Sequence, residues 1–167
     1  MGNHDYWYGF RLPSPIPKWM SKEEVNHQNW THSQIGKKFL SVVRNWNFEI
    51  KLNLGGKFNI LFQHYALNEE KNWFKPIEKE PTPNKLDSLF DQLNADMIFY
   101  GHQHLESDLK GKTQYINLGS SGCNDKLLAR IGILEYKNGS LELTKGSLIY
   151  NDTELLQQFE LRKVPAR

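Results

Sequence analysis

One cysteine, Cys123, stands among 167 residues, so a disulfide within the chain is excluded. A lone thiol suits a reducing compartment, and a cytoplasmic protein is the expectation. Long hydrophobic runs are missing too. The longest apolar stretches, at 60–62 and 97–100, fall far short of the ~20 residues that cross a bilayer, and no signal peptide precedes them. A membrane span is therefore not expected. Charge of one sign is also lacking: 21 Lys and Arg face 19 Asp and Glu along the whole length, for a net charge of +2. That balance leaves no basic stripe for a nucleic-acid polymer. Internal repeats and low-complexity tracts are absent. What is plentiful is aromatic: Phe, Tyr and Trp make up 13%, with five Trp, of which only Trp46 falls into a regular core pattern. Surplus aromatics line clefts and interfaces or fill the core, and core filling is the favoured reading. A chain of this size removes roughly 70% of its unfolded surface from water, so it builds a core without a metal or disulfide staple.

Ser21-Lys22-Glu23-Glu24 and Thr31-His32-Ser33-Gln34 both have the form of a capping box and predict two consecutive helices. The second is expected over about His32 to Trp46, because Ile35, Phe39, Val42, Val43 and Trp46 recur at helical spacing. The period then changes to alternation at Ile50, Leu52 and Leu54. With Gly55-Gly56 as a turn and Phe58 to Phe62 as a buried strand, 49–63 reads as a β-hairpin. A polar, proline-bearing loop is expected over 66–83. It leads to a helix with a stripe of Leu86, Leu89, Phe90 and Leu93, then to a short buried strand at 97–100. Strands at 113–117, 127–136 and 140–150, an Asn138-Gly139 turn and a last helix capped by Asp152 complete the pattern. Helices mixed with single strands, followed by an antiparallel run, predict an α/β protein with layers of helix and sheet.

Of the six histidines, His4, His64, His102 and His104 lie where strands are expected to end in loops. Imidazoles with Asn3 and Asp5 beside them are the composition of a site for a borderline divalent metal. If the loop is extended, His102 and His104 point to opposite sides and reach two metals rather than sharing one. Two metals ~3.5–4 Å apart clamp both sides of a phosphoryl displacement. His27 and His32 are five residues apart, and no metal role is assigned to them.

Gly2-Asn3-His4-Asp5, a lone His64 ending a buried strand, and Gly101-His102-Gln103-His104 after another strand together resemble the last three metal motifs of the calcineurin-like metallophosphoesterases. The segment Ile116-Asn117-Leu118-Gly119-Ser120-Ser121-Gly122 resembles the Asn-Pro-Gly-Ser stretch of the small bacterial phosphodiesterase branch, with Leu118 in the place of the proline. The resemblance implies a metallophosphoesterase-like layered α/β sandwich. It implies that Asn3, His64 and His102 are ligands of a second metal and His104 the last ligand of a first. It further implies that His4 is the general acid and phosphate contact, with Asp5 as the carboxylate that orients it. The activity implied is hydrolysis of a phosphodiester or phosphomonoester by a hydroxide held between two metals. Mn, Fe and Zn suit these donors about equally, and the partner is a phosphorylated small molecule or phosphodiester substrate.

The family's opening motifs, Asp-x-His and Gly-Asp-x-x-Asp, do not occur in this sequence. Residues 1–167 are accordingly expected to form a single, N-terminally incomplete domain, with roughly 60 residues of two strand-helix units lying upstream. A misplaced start, a split gene and a deliberate fragment all fit. At most one divalent metal is expected on this chain, and its open sheet edges are expected to drive self-association. The stretch 6–47 is expected to be a helical cap inserted within the domain, gating substrate or merely packed. Within it Tyr6, Trp7 and Tyr8 either stack on a substrate ring or pack under the cap. Cys123 reads as a spectator thiol, and Glu106 and Asp125 as surface. The alternative to an enzyme is a non-catalytic binding or scaffolding module on the same fold.

Overall fold

The computed structural model describes residues 1–165, which form two compact units: 48–150, and 1–47 together with the segment from Asn151. In the larger unit, β1 (Glu49–Leu54) and β2 (Phe58–Gln63) form the expected hairpin. Gly55 and Gly56 take φ of 61° and 69°, and Lys57 N–H donates to the Leu54 carbonyl at 3.1 Å. Two left-handed residues in a row give the twist that matches paired strands, and glycine adopts them without strain. The helix α4 (Pro83–Leu89) follows, started by Pro83 and by the Thr82 hydroxyl accepting from Lys85 N–H. The strands β3 (Met97–Phe99), β4 (Glu106–Lys110) and β5 (Gln114–Leu118) complete a five-stranded sheet in the order β1-β2-β3-β5-β4. Its centre, β2, β3 and β5, is parallel, while both flanking pairs are antiparallel. A separate ribbon of β6 (Leu128–Lys137) and β7 (Ser140–Ile149) turns at Asn138-Gly139, as expected.

Both faces of the parallel centre are covered, which is why its strands read as continuous apolar runs. On one face Leu61, Ile98 and Tyr115 pack with Leu86 and Phe90 of α4 and its C-terminal end, and with Tyr65, Phe74 and Tyr100. On the other, Ile60, Phe99 and Ile116 meet Leu134, Leu141 and Leu143 of the ribbon. The result is the layered α/β architecture expected from the sequence, with Tyr65, Phe74, Phe90, Phe99, Tyr100 and Tyr115 in its core. The edge strand β4 is an addition to that reading. Its sequence, Glu-Ser-Asp-Leu-Lys, carries the charges typical of an edge and so hides its strand character. The loop over 66–83 is less exposed than its polarity suggests, since Ala66 and Phe74 are buried and Leu67 bridges to Phe74.

The smaller unit departs further from expectation. Its first helix, α1 (Asn3–Phe10), occupies a stretch expected to leave a strand. The helix α2 (Lys22–Ile35) begins as predicted, with the Ser21 hydroxyl accepting from Glu24 N–H at 3.0 Å. It then runs straight through the second capping box. Thr31 donates its hydroxyl to the His27 carbonyl at 2.9 Å, an interior bond that replaces the cap. Gly36, at φ 60°, ends the helix, and only α3 (Leu40–Val43) follows. Of the apolar stripe from Ile35 to Trp46, Val43 alone is buried. Trp46, the one Trp expected in a regular core pattern, is 48% exposed, while Trp7 is 3% exposed and packs rather than standing open to a ligand. The last helix, α5 (Thr153–Leu161), starts where expected, but the bond at its start runs from Thr153 N–H to the Asn151 side chain, not to Asp152.

Tyr115 gives the larger unit a titration that bears on stability. Its buried hydroxyl donates to Asp87 Oδ1 at 2.9 Å. Burial first, then that carboxylate, push its pKa up to about 12. A group whose folded pKa is raised contributes stability that is whole below the unfolded value of ~10 and is lost as pH rises toward the folded value. Urea unfolding followed by circular dichroism should therefore show stability falling between pH 10 and 12. Tyr115→Phe should fall less steeply across that window.

Candidate functional site

In the larger unit the parallel pairing of β2 with β3 brings two chain segments to one end of the sheet side by side. His64 follows β2 and His102 follows β3, and Gly101 N–H donates to the His64 carbonyl at 2.9 Å, carrying the ladder one step past the strands. Crevices at the carboxyl ends of parallel strands are the usual ligand sites of such sheets. The two imidazoles meet there: His64 Nε2 and His102 Nδ1 are 2.9 Å apart, with the rings inclined at 76°. Tyr65 and Phe74 wall them in, with ring centres 5.4 and 6.1 Å from that of His102. Burial, and secondarily the neighbouring His104, hold the His102 pKa below its ordinary value, so the ring is kept neutral and able to act as a ligand.

The loop that carries the pair is not extended. His102 and His104 both take positive φ, 72° and 41°, so simple alternation does not describe which way their side chains point. The turn is pinned from several sides. Gln103 N–H donates to the Gly101 carbonyl at 2.9 Å, and the Gln103 side chain reaches the Glu78 carbonyl. The neighbouring stretch is held by Glu78 N–H donating to the Tyr65 hydroxyl at 2.7 Å. The next parallel strand, β5, supplies Asn117, 1% exposed. Its amide donates to the Gly101 carbonyl at 3.5 Å while its oxygen accepts from Gly119 N–H at 2.9 Å. A buried asparagine thus joins the histidine turn to the Gly- and Ser-rich segment. His104 itself is exposed, and Arg130 donates to its carbonyl at 3.5 Å.

Asn3, His4 and Asp5 lie in the smaller unit, in the first turn of α1. Asp5 accepts from Gly2 N–H at 2.9 Å, a bond typical of a carboxylate at a helix start. Around His4 stand two residues that the sequence reading passed over. Gln28 Nε2 lies 2.7 Å from His4 Nδ1, and Glu24 Oε1 lies 3.7 Å from His4 Nε2. Both come from α2, four residues apart on one face. Gln28 is only 2% exposed, but the sequence shows merely a glutamine on a helix, and nothing in composition marks it. His27 and His32 meet backbone carbonyls, of Pro165 at 3.3 Å and of Trp7 at 3.0 Å. Cys123 is exposed, Asp125 lies at the surface, and Glu106 pairs with Arg130 at 3.7 Å.

Among the described residues, no three or more His, Cys, Asp and Glu side chains are grouped to hold a metal ion. The fit of the histidine pair to a cation is nevertheless close. The two nitrogens stand 2.9 Å apart, at hydrogen-bonding distance. Two ligands each 2.0–2.1 Å from a tetrahedral ion stand roughly 3.3 Å apart, so a modest opening admits one. Nor is any described helix long and apolar enough to cross a membrane.

No protein-family model matches the sequence, and no curated protein matches it. Solved structures do. A hypothetical protein, PH1004 from Pyrococcus horikoshii OT3, superposes with a TM-score of 0.72 at 13% identity, over 98% of this chain and 67% of that one. A metallophosphoesterase from Sphaerobacter thermophilus superposes with a TM-score of 0.63 at 16% identity, over 98% of this chain and 71% of that one. At such identities the likeness is one of fold: this chain has the architecture of a metallophosphoesterase.

If the paired imidazoles are the ligands, His102→Ala should abolish most divalent-metal uptake, and His27→Ala, whose ring faces the Pro165 carbonyl, should leave it unchanged. Calorimetric titration with manganese or zinc checks this, and the paired variants control for the mere loss of a histidine.

Proposed function

We propose that the protein is a metal-dependent phosphoesterase, hydrolysing a phosphodiester or phosphomonoester. The observation that carries the proposal is the contact between His64 and His102 at the carboxyl ends of adjacent parallel strands, within a fold shared with a metallophosphoesterase. A sandwich fold has no structural need for two imidazoles in contact behind an aromatic wall. His64 and His102 would hold the metal, and Asn3 and His104 extend the ligand set by resemblance. A bound divalent ion supplies Lewis acidity that makes water nucleophilic near neutral pH. By the same resemblance, His4 would contact the phosphate and assist the leaving oxygen. Arg130, which donates to the His104 carbonyl, adds positive charge beside the turn. Mn, Fe and Zn all suit imidazole with oxygen donors.

The second reading, a binding or scaffolding module without catalysis, draws on two observations. The described residues contain no group of three metal-binding side chains, and the sequence contains neither Asp-x-His nor Gly-Asp-x-x-Asp. The two readings part in one experiment. Hydrolysis of a nitrophenyl phosphodiester with manganese is measured for the chain alone and for the chain joined to a segment bearing both motifs. On the enzymatic reading the chain alone binds at most one ion and turns over slowly, because a bridging carboxylate is needed to offset the repulsion of two cations a few ångströms apart. Activity should rise at least a hundredfold in the joined protein and fall again with His102→Ala. Metal binding without hydrolysis in the joined protein would establish the scaffold.

A further inference from the structure

We infer that Gln28 and Glu24, not Asp5, fix the tautomer of His4, so that His4 presents its proton on Nε2 as a hydrogen-bond donor. The inference follows from what each atom is able to do. An ionised Glu24 only accepts, so the Gln28 atom 2.9 Å from Glu24 Oε1 must be the amide nitrogen, donating one of its two hydrogens. That same nitrogen is 2.7 Å from His4 Nδ1. Its second hydrogen therefore points at Nδ1, which accepts through its lone pair. A ring whose Nδ1 accepts carries its proton on Nε2. Glu24 Oε1, 3.7 Å from Nε2, is beyond hydrogen-bonding distance and acts on the ring through Gln28. The tautomer is thus assigned from hydrogen-bond partners, as imidazole tautomers are.

The arrangement is rigid. Gln28 is 2% exposed and stands one helical turn from Glu24 on α2, so its amide cannot turn over without leaving the Glu24 carboxylate facing an oxygen. Asp5 is meanwhile engaged with Gly2 N–H at 2.9 Å. The consequence for chemistry rests on the phosphoesterase reading. His4 would act on a phosphate or leaving oxygen by donating a hydrogen bond from Nε2, with no proton passed to Asp5. Gln28 and Glu24 are positioning residues, acting through His4. Without that reading the tautomer stands on geometry alone.

The test is therefore spectroscopic. Long-range proton–nitrogen correlation of the ring nitrogens, on the metal-free chain at a pH where His4 is neutral, should give Nε2 the shift of a protonated nitrogen and Nδ1 that of an unprotonated one. Gln28→Leu should average the two shifts toward a mixture of tautomers, and Gln28→Glu, whose carboxylate accepts, should reverse them. Asp5→Asn should leave them unchanged. A wild-type ring protonated on Nδ1, or a tautomer that shifts in Asp5→Asn and not in Gln28→Leu, overturns the inference. In the joined, active protein Gln28→Leu should lower kcat at least tenfold with little change in KM. An unaltered kcat alongside the predicted shifts would remove His4 from the phosphoesterase reading and leave the tautomer assignment intact.

Discussion

The parallel pairing of β2 with β3 is the contact on which the larger unit turns. It is short, three residues of register from Ile60 against Met97 to Phe62 against Phe99, and it spans the middle of the sheet. Three things follow from it. Leu61 and Ile98 share one buried face, and Phe62 and Phe99 stack on the other with ring centres 4.7 Å apart. The two strands end level, so the residues that follow them, His64 and Gly101, are adjacent and continue the ladder. Because the pairing is parallel, the chain must cross from one strand to the next through the long loop and α4, and the loop supplies Tyr65 and Phe74, the aromatic cover of the imidazoles. A slip of one residue would turn each of these side chains to the opposite face.

Much of this was legible in the sequence where burial writes a pattern. The hairpin at 49–63, the helix after Pro83, the short strand before Gly101 and the ribbon about Asn138-Gly139 all have strong local signals and all appear in the structure. The smaller unit was harder, for a physical reason. Capping boxes, apolar stripes and prolines there describe local preferences, and the second capping box was outvoted by the continuous helix around it. Trp46 and Trp7 show the same limit. Periodicity ranks residues by neighbours in sequence, whereas burial is settled by neighbours in space.

The candidate site divides along the same line. His64, His102 and His104 were placed by strand ends and a motif, which are local features. Gln28 and Glu24 were not, because their relation to His4 exists only once α1 and α2 pack. Asp5 adjoins His4 in sequence, yet it accepts from Gly2 N–H at the start of its own helix. Adjacency along the chain is a poor guide to which groups orient an imidazole, since a side chain in a helical turn points away from that of its immediate neighbour.

Strand β5 is held at both ends. At one end Asp87 of α4 receives the Tyr115 hydroxyl at 2.9 Å and Lys112 N–H at 2.8 Å, and Gly111 lies so close that any side chain there would collide with that carboxylate. At the other end Asn117 grips Gly101 and Gly119. Tyr115 belongs to the first clamp, and the one residue between it and Asn117 is Ile116; both Tyr115 and Ile116 are fully buried. The strand is in effect a connecting rod. A ligand, modification or substitution that shifted α4 would be felt at the turn carrying His102, on the opposite end of the sheet, without any contact between the two.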